Sequence, residues 1–247
     1  MYVIFDMDGV IIDSEMVYRR GHMNAARLYG LPEDTMLEVS KRVTGVTIEM
    51  EHQTMIEAFG HLPQFDRDKV FRACRQYFDY IVETGKMELK PGAEEILRFL
   101  KEQEVTLGLA SSSPRDLIDK VLGRRGMLQY FDAVVSGDMV QCGKPDPEIF
   151  LRCAAELGIP EAEFGETFVI EDSYNGIRAA YAAGMRPVMV PDLLPPTEEM
   201  YEKSAVVLPS LMDVEKWMAD GPITARAYSR TARSQPGPVI TIEEQEL

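Results

Sequence analysis

Two aspartates that directly follow a short apolar run indicate chemistry by their type and spacing. Asp6 and Asp8 come after residues 3–5 (Val-Ile-Phe), a run typical of a buried strand. Residues two apart on an extended segment point to the same side, so each carboxylate raises the cost of ionising the other. A hard divalent cation, most simply Mg²⁺, would offset that cost, and Gly9 would let the backbone approach a ligand closely. The alternative is a strand that ends in a solvated acidic turn.

A run of hydroxyl side chains follows a second predicted strand, residues 105–110. Ser111 and Ser112 stand just before a predicted helix, whose first backbone N–H groups bind anions readily. This arrangement predicts an anion-binding turn. The alternative is that residues 111–113 only cap the helix.

A lysine and an acidic pair complete the set of polar residues at predicted strand ends. Lys144 lies between a glycine and a proline, so the stiff loop specifies the direction of a side chain that is usually solvated. Glu171 and Asp172 directly follow the apolar residues 168–170, which indicates a second hard-metal ligand group. Asp172 could instead, or at the same time, cap the helix that follows.

The elements that must position these residues fall into two patterns. Residues 14–84 predict helices at 14–29, 34–42, 48–59 and 67–83, with almost no strand pattern. From residue 90 onward, strands are predicted at 105–110, 133–136, 167–170, 187–190 and 205–208, and helices at 93–103, 114–122, 147–157, 174–183 and 211–219. Alternation of this kind predicts a mostly parallel sheet with its ligand crevice at the carboxyl ends of the strands.

The predicted fold is therefore α/β, a Rossmann-like parallel sheet core with an inserted α-helical domain. The core is predicted to comprise residues 1–13 and 85–220, and the inserted domain residues 14–84. The polar, proline-containing tail, residues 221–247, fits no further β–α unit, so we expect it to lie away from the site, with residues 239–242 a possible addition to a sheet edge.

Composition restricts the class of partner. A net charge of −15 and a pI near 4.7 argue against a nucleic-acid or anionic-membrane surface, because phosphate backbones require clustered Lys and Arg. A small phosphorylated metabolite needs only a local positive site. Three cysteines without paired spacing, no run of membrane-spanning length and no secretion-signal pattern together predict a cytoplasmic protein, and we expect a monomer or a weak dimer.

In this order, the four groups of residues resemble the motifs of the haloacid dehalogenase (HAD) superfamily, specifically its β-phosphoglucomutase-like branch. Residues 5–10 (Phe-Asp-Met-Asp-Gly-Val) are similar to the first motif and residues 110–113 to the second. Residues 143–147 are similar to the third and residues 170–173 to the fourth. The resemblance covers about residues 1–220 and includes a helical cap inserted after the first motif.

The resemblance implies a role for each catalytic residue. Asp6 would attack phosphorus and become an aspartyl phosphate, while Asp8 would protonate the leaving oxygen and then activate water. Ser111 and Lys144 would bind the transferring phosphoryl group. The chemistry is consistent with this, because a lysine and Mg²⁺ offset the repulsion between a carboxylate and a phosphate dianion.

The resemblance also implies a metal site. Mg²⁺ would be bound by the Asp6 carboxylate, the Asp8 backbone carbonyl and Asp172, with Glu171 as a further ligand or in the layer behind them. The remaining predicted site residues are substrate contacts, namely Gly9, Tyr18, Gly45, Thr47, Ser112 and Arg115.

The predicted activity is a Mg²⁺-dependent phosphatase for a small phosphorylated metabolite, with a sugar phosphate as the class that the resemblance favours. Phosphoglucomutases of this branch carry a histidine and a basic residue in the cap, where Tyr18 and Ile48 stand here. Tyrosine is a poor proton shuttle at neutral pH, although His22, one helical turn away, could substitute.

Two alternatives have different chemistry. A phospho-acceptor signalling module also combines acidic residues, a hydroxyl and a lysine, but lacks the helical insertion and the second aspartate of the first motif. A dehalogenase of the same fold needs no metal, and would leave Asp8, Glu171 and Asp172 with little purpose.

Overall fold

The computed structural model describes residues 1–43 and 48–224, apart from the side chains of residues 48 and 49. Within these residues, six parallel strands form one sheet in the order β3-β2-β1-β4-β5-β6. The strands are β1 (Tyr2–Phe5), β2 (Thr106–Ala110), β3 (Ala133–Val135), β4 (Thr167–Glu171), β5 (Arg186–Met189) and β6 (Val206–Val207). The predicted α/β class and parallel sheet are confirmed.

Helices cover both faces of the sheet and form a separate layer beyond its carboxyl ends. In chain order they are α1 (Ser14–Tyr29), α2 (Glu33–Arg42), α3 (Ile48–Phe59), α4 (Arg67–Glu83), α5 (Ala93–Glu102), α6 (Arg115–Val121), α7 (Glu148–Glu156), α8 (Tyr174–Ala182), α9 (Glu198–Lys203) and α10 (Leu211–Met218). The predicted bounds of α1, α3 and α4 agree at both ends. The six-residue α9 was not predicted, because so short and polar a segment shows no helical periodicity.

The central strand β1 separates two apolar cores. Val3 and Phe5 pack with residues of α5, α6 and α10, whereas Ile4 points to the other face and packs with residues of α7 and α8. Side chains alternate between the two faces of a strand, so both faces of β1 are buried. A strand of this kind holds the residue that follows it in a fixed position.

Helices α1 to α4 pack around an apolar core of their own, which includes Met36, Met55 and Phe59. Two short segments connect this helical layer to the sheet. They pair through an antiparallel bridge between Ile12 and Leu89, flanked by backbone hydrogen bonds of 2.8 and 2.9 Å.

Two predicted helix caps are wrong. Ser14, the expected N-cap of α1, is its first helical residue, and Asp13 stands at the N-cap position. Ser113, the expected cap of α6, does not cap it, because α6 begins at Arg115 after Pro114 and the Ser113 hydroxyl bonds elsewhere. Among the described residues, no helix is both long enough and apolar enough to cross a membrane. Gly45, Thr47 and residues 225–247, which include most of the predicted tail, lie outside the described residues.

Candidate active site

The register of the sheet brings the predicted polar residues together. Phe5, the last residue of β1, pairs with Leu109 of β2 and with Ile170 of β4. Asp6 and Ser111 therefore emerge at the same edge, beside the end of β4 at Glu171. The backbone N–H of Asp6 donates to the Ile170 carbonyl at 3.0 Å, which extends the pairing one residue beyond β1.

Lys144 is the cation at the centre of this edge. Its Nζ donates to Asp6 Oδ1 at 2.6 Å, to Glu171 Oε1 at 2.7 Å and to the Ala110 carbonyl at 3.3 Å. The Lys144 side chain is only 8% exposed. Burial disfavours its charge, yet the carboxylates of Asp6 and Glu171 outweigh burial and raise the pKa of Lys144 above its usual value.

Asp6 has an environment that disfavours its negative charge. Burial raises the pKa of Asp6 to about 7, with repulsion from Glu171 and Asp8 adding to it and Lys144 opposing it. One lysine therefore does not fully compensate the carboxylates around it. A further cation, bound alone or together with a charged ligand, would compensate the remaining negative charge of these carboxylates.

Glu171 is fully engaged by its protein neighbours. Its Oε2 accepts hydrogen bonds from the Ser173 backbone N–H at 2.8 Å and the Ser173 hydroxyl at 2.9 Å, while Oε1 accepts from Lys144. Helix α8 passes so close that a Cβ on Gly176 would lie 1.7 Å from Glu171 Oε1. Ser173 also caps α8, since its hydroxyl accepts from the Gly176 N–H, so the cap that could have been Asp172 is Ser173.

The carboxylates fit a divalent cation. Asp6, Glu171 and Asp172 each offer an oxygen, and these oxygens lie within 4.8 Å of one another. Burial raises the pKa of Asp172 well above its usual value, and the charges of Glu171 and Asp6 raise it further. Oxygen donors gathered in this way are those that Mg²⁺ prefers. Because both oxygens of Glu171 already have partners, Asp6 and Asp172 are the carboxylates best placed to hold the ion.

Gly9 allows the backbone of the first motif to pass close to the Asp172 carboxylate. Its φ of +74° lies in the left-handed region, and a Cβ there would lie 2.3 Å from Asp172 Oδ2. Gly9 was expected to bring the backbone close to a ligand; its neighbour in the structure is the Asp172 carboxylate, and its contact with a substrate stays a prediction.

The Asp8 carboxylate contacts the serine turn that follows β2. Its Oδ2 accepts a hydrogen bond from the Ser113 hydroxyl at 2.8 Å and from the Ser111 hydroxyl at 3.3 Å. The Ser113 contact was not predicted from the sequence. The spacing of Ser111 and Ser113 could have predicted this contact, because residues two apart on an extended turn can present both hydroxyls to the same side.

Two cavities open from this edge. The first, of about 450 Å³, is lined by side chains that include Asp6, Lys144 and Asp172. The second, of about 340 Å³, lies between helices α1 and α4 on one side and the segment from Ser112 to Lys120 on the other. Asp8, Glu15 and Ser112 line both cavities, while Asp6 lines only the first.

Glu15 was not among the predicted site residues, because an acidic residue in the first turn of a helix is usual. Burial raises its pKa to about 7, and the charges of Asp8 and Asp192 raise it further. This acidic side chain lies where the two cavities meet.

The predicted substrate contacts have different placements. Tyr18 lines the second cavity and stacks on Phe78 with ring centroids 4.6 Å apart, and burial raises the pKa of its hydroxyl. Ser112 lines both cavities. Arg115 lines neither cavity and donates to Asp119 at 2.9 Å.

The histidine that could have acted as a cap proton shuttle lies inside the helical layer. His22 is buried, lines neither cavity, and has its Nε2 2.9 Å from Glu51 Oε1. We find no contact between His22 and the Asp8 region among the described residues.

Comparison with known proteins agrees with this arrangement. The family model described as haloacid dehalogenase-like hydrolase matches residues 1–184. A "Phosphorylated carbohydrates phosphatase" of Thermotoga maritima is 34% identical over 190 residues, which cover 75% of this chain and 82% of the relative. A "Beta-phosphoglucomutase" of Bacillus subtilis is 32% identical over 192 residues, 76% of this chain and 82% of the relative.

The fold has solved counterparts as well. The crystal structure of a HAD family hydrolase of Deinococcus radiodurans has a TM-score of 0.74, with 24% identity, and the match covers 90% of this chain and 96% of that one. The motifs, the sheet order, the helical insertion and the family match over residues 1–184 therefore lead to one assignment: the chain belongs to the haloacid dehalogenase-like hydrolase family.

Proposed function

We propose that this hydrolase is a Mg²⁺-dependent phosphatase that cleaves a small phosphorylated carbohydrate through an aspartyl phosphate on Asp6. The observation that carries the proposal is the ion pair between Lys144 and Asp6, 2.6 Å long, beside two further carboxylates at the edge of a cavity. The names of the relatives support it, since one acts on phosphorylated carbohydrates and is 34% identical.

In the first step, an Asp6 carboxylate oxygen attacks phosphorus and forms a P–O bond. The bond from phosphorus to the leaving oxygen breaks, and the carboxyl group of Asp8 gives its proton to that oxygen. Lys144 is close enough to Asp6 to contact the transferring group and to offset its charge. Ser111, which contacts Asp8, would bind the same phosphoryl group.

In the second step, water attacks the phosphorus of the aspartyl phosphate. Asp8, now ionised, takes the proton from water, and the bond between phosphorus and Asp6 breaks to release inorganic phosphate. The hydroxyls of Ser111 and Ser113 hold the Asp8 carboxylate by two hydrogen bonds. Asp8 must turn from this position toward the reacting oxygen in each cycle.

Asp6 and Asp172 would hold Mg²⁺ together with the backbone carbonyl of Asp8, and Glu171 would keep Lys144 in place from behind. When bound, the ion supplies positive charge that offsets the charge of the phosphoryl oxygens. We further propose that residues 1–13 and 85–220 form the catalytic core and residues 14–84 a cap, whose closure would exclude water from the first cavity.

The other candidate is phosphoryl transfer of the phosphoglucomutase type, which is the activity named for a relative that is 32% identical. A mutase must protect its aspartyl phosphate from water until the intermediate has turned around. The position expected to carry a cap histidine holds Tyr18, and His22 is paired with Glu51 away from both cavities. Without such a group we expect hydrolysis to dominate.

Phosphate release from a panel of sugar and polyol monophosphates, with and without chelator, tests the proposal. We expect release to require Mg²⁺ and to fall by at least about 10⁴-fold in Asp6→Asn, because an amide is a poor nucleophile and the two-step route is lost. The exposed Asp34→Asn on α2 removes the same charge far from the site and should keep wild-type rates.

The metal is tested without turnover by thermal unfolding. Mg²⁺ should raise the Tm of the wild-type protein, because a ligand that binds only the folded state stabilises it, and Asp172→Asn should weaken that rise. Full activity after exhaustive chelation, or turnover in Asp6→Asn, would contradict the proposal. Efficient isomerisation of β-glucose 1-phosphate with little phosphate release would favour the mutase.

A further inference from the structure

The position of Asp8 indicates where the leaving group must lie. In a displacement at phosphorus, the nucleophile and the leaving oxygen lie on opposite sides, so the leaving oxygen is remote from Asp6 and close to the acid that protonates it. Asp6 lines only the first cavity, whereas Asp8 lines both. A leaving group beside Asp8 and remote from Asp6 would extend into the second cavity, whose 340 Å³ suits a small metabolite.

The second cavity is strongly acidic. Five carboxylates line it against two cations, namely Asp8, Glu15, Asp79, Glu83 and Asp116 against Arg75 and Lys120. Both cations are already paired, because Arg75 donates to Asp79 at 2.9 Å and Lys120 donates to Glu83 at 2.8 Å.

Two of the five carboxylates have no such partner. Within residues 1–43 and 48–224, no hydrogen bond or ion pair engages the carboxylate of Glu15 or Asp116, although Lys120, one helical turn from Asp116, attracts it electrostatically. Arg19 lies one turn along α1 from Glu15, and its charge partly offsets the raised pKa of Glu15, but Arg19 does not line the cavity. The segment 44–49 reads Thr-Gly-Val-Thr-Ile-Glu and adds no lysine or arginine.

From this charge pattern we infer that the enzyme selects monophosphates with an uncharged polyhydroxyl leaving group and discriminates against bisphosphates and phosphorylated carboxylic acids. The inference rests on the proposed phosphatase function and specifies its substrate. Hydroxyl groups can donate to the free carboxylates of Glu15 and Asp116, and carbohydrate C–H groups can pack on the ring of Tyr18. A second anionic group would meet carboxylates, and among the described residues that line this cavity both cations, Arg75 and Lys120, are already paired.

The experiment compares phosphate release from matched esters that differ by one anionic group. One pair is glycerol 3-phosphate and 3-phosphoglycerate, which replaces a hydroxymethyl group by a carboxylate. The second pair is fructose 6-phosphate and fructose 1,6-bisphosphate. We expect kcat/KM for the anionic member of each pair to be lower by at least about tenfold, because the second anionic group is brought close to like charges in the cavity.

Charge reversal at Asp116 tests the cause of the discrimination. Asp116→Lys should raise the ratio of bisphosphate to monophosphate kcat/KM by about five- to tenfold, and Asp116→Asn should raise it less, since it removes the negative charge without adding a positive one. Asp119→Lys is the matched control, because Asp119 is exposed on the same helix α6 and does not line the cavity. An equal change in the control would show a long-range effect of net charge and would contradict the assigned role of Asp116.

The outcomes separate this inference from the proposed function. Equal or faster release from the anionic members, with turnover intact, would overturn the inference alone. Absence of release from every ester, p-nitrophenyl phosphate included, would overturn the proposed function and the inference with it. A preference for the neutral members that weakens in Asp116→Lys and not in Asp119→Lys is the result we expect.

Discussion

At the scale of single residues, Lys144 holds the site together by compensating two buried carboxylates. Its Nζ lies 2.6 Å from Asp6 and 2.7 Å from Glu171, and both carboxylates are nearly inaccessible. Removing one partner of such a pair leaves an uncompensated charge in the interior, which costs more than the pair itself contributes. The same lysine is therefore expected to serve stability as well as phosphoryl binding.

Glycine at position 176 keeps Glu171 in contact with this lysine, so Gly176→Ala should damage the site. A Cβ at Gly176 would lie 1.7 Å from Glu171 Oε1, so the carboxylate must shift away from Lys144. We expect a loss of about 1–3 kcal/mol in the free energy of unfolding, measured by denaturant titration, although alanine ordinarily favours a helix over glycine.

Gly165→Ala is the matched control for that change, because Gly165 is exposed and a Cβ there would meet no atom within 4 Å. Its stability should remain within about 0.5 kcal/mol of the wild type. If Gly176→Ala were as stable as the control and fully active, the close contact between α8 and Glu171 would not hold.

The three cysteines should differ sharply in reactivity. Cys142 is exposed, whereas Cys74 and Cys153 are buried, and burial raises the pKa of Cys74 to about 12 and that of Cys153 above its usual value. Thiolate is the reactive form, and a raised pKa keeps these two thiols neutral at pH 8.

A thiol reagent at pH 8 should therefore label one cysteine rapidly in the folded protein and the other two only after unfolding. Mass spectrometry of the labelled peptides identifies the residue. Cys142→Ser should remove the rapid phase, and a rapid phase that survives this change would be inconsistent with the burial of the other two thiols.

At the scale of elements, an ionic cluster holds the two connections to the helical layer against the sheet. Lys90, in the second connection, has its Nζ 2.6 Å from Asp192 and 3.7 Å from Asp13, which ends the first connection. Asp192 follows β5 and its side chain is only 5% exposed. The cluster ties both connections to one loop of the core, so we expect it to limit the directions in which the helical layer can move.

Lys90→Met should lower the free energy of unfolding by about 3 kcal/mol, because it leaves the buried Asp192 carboxylate without a counter-charge. The double variant Lys90→Met/Asp192→Leu removes both charges and should recover much of the loss. Lys86→Met is the control, since Lys86 is exposed and its removal should cost less than about 1 kcal/mol. Equal stability of all three variants in denaturant titrations would exclude a role for the cluster.

The elements show why part of the site could be predicted from the sequence. Asp6, Lys144, Glu171 and Asp172 were expected to meet, and they do, because each follows or faces the carboxyl end of a parallel strand and the sheet register brings those ends together. The parallel direction of the strands follows from the alternation of strands and helices along the chain. The strand order, which places β1 between β2 and β4, was not predicted and comes from the structure.

Other features of the site depend on which of several available partners a polar side chain binds, and the sequence pattern does not show this choice. Asp8 turns to the Ser113 hydroxyl, and Arg115 pairs with Asp119 one helical turn away. Glu15 faces the place where the two cavities meet, although its position in the first turn of α1 resembles an ordinary helix-dipole residue. In each case the three-dimensional neighbours decide among several partners that the sequence allows.

At the scale of the whole molecule, the proposed mechanism would take its catalytic groups from the sheet edge and the wall that meets the leaving group from the helical layer. The first cavity contains Asp6 and Lys144, and the second is bounded by α1 and α4. Residues at the sheet edge would therefore carry out the reaction, and residues of the helical layer would select the substrate. The proposed mechanism requires above all that Asp6 itself is phosphorylated during turnover.

The direct measurement is to quench the enzyme with acid during turnover of its fastest substrate, reduce the mixture with borohydride, and map the peptides by mass spectrometry. Borohydride converts an aspartyl phosphate to homoserine, so we expect homoserine at position 6 of the wild type. We expect more homoserine at this position in Asp8→Asn, where hydrolysis of the aspartyl phosphate is slowed, and none in Asp6→Asn. Homoserine at another position, or turnover that continues in Asp6→Asn, would contradict the account.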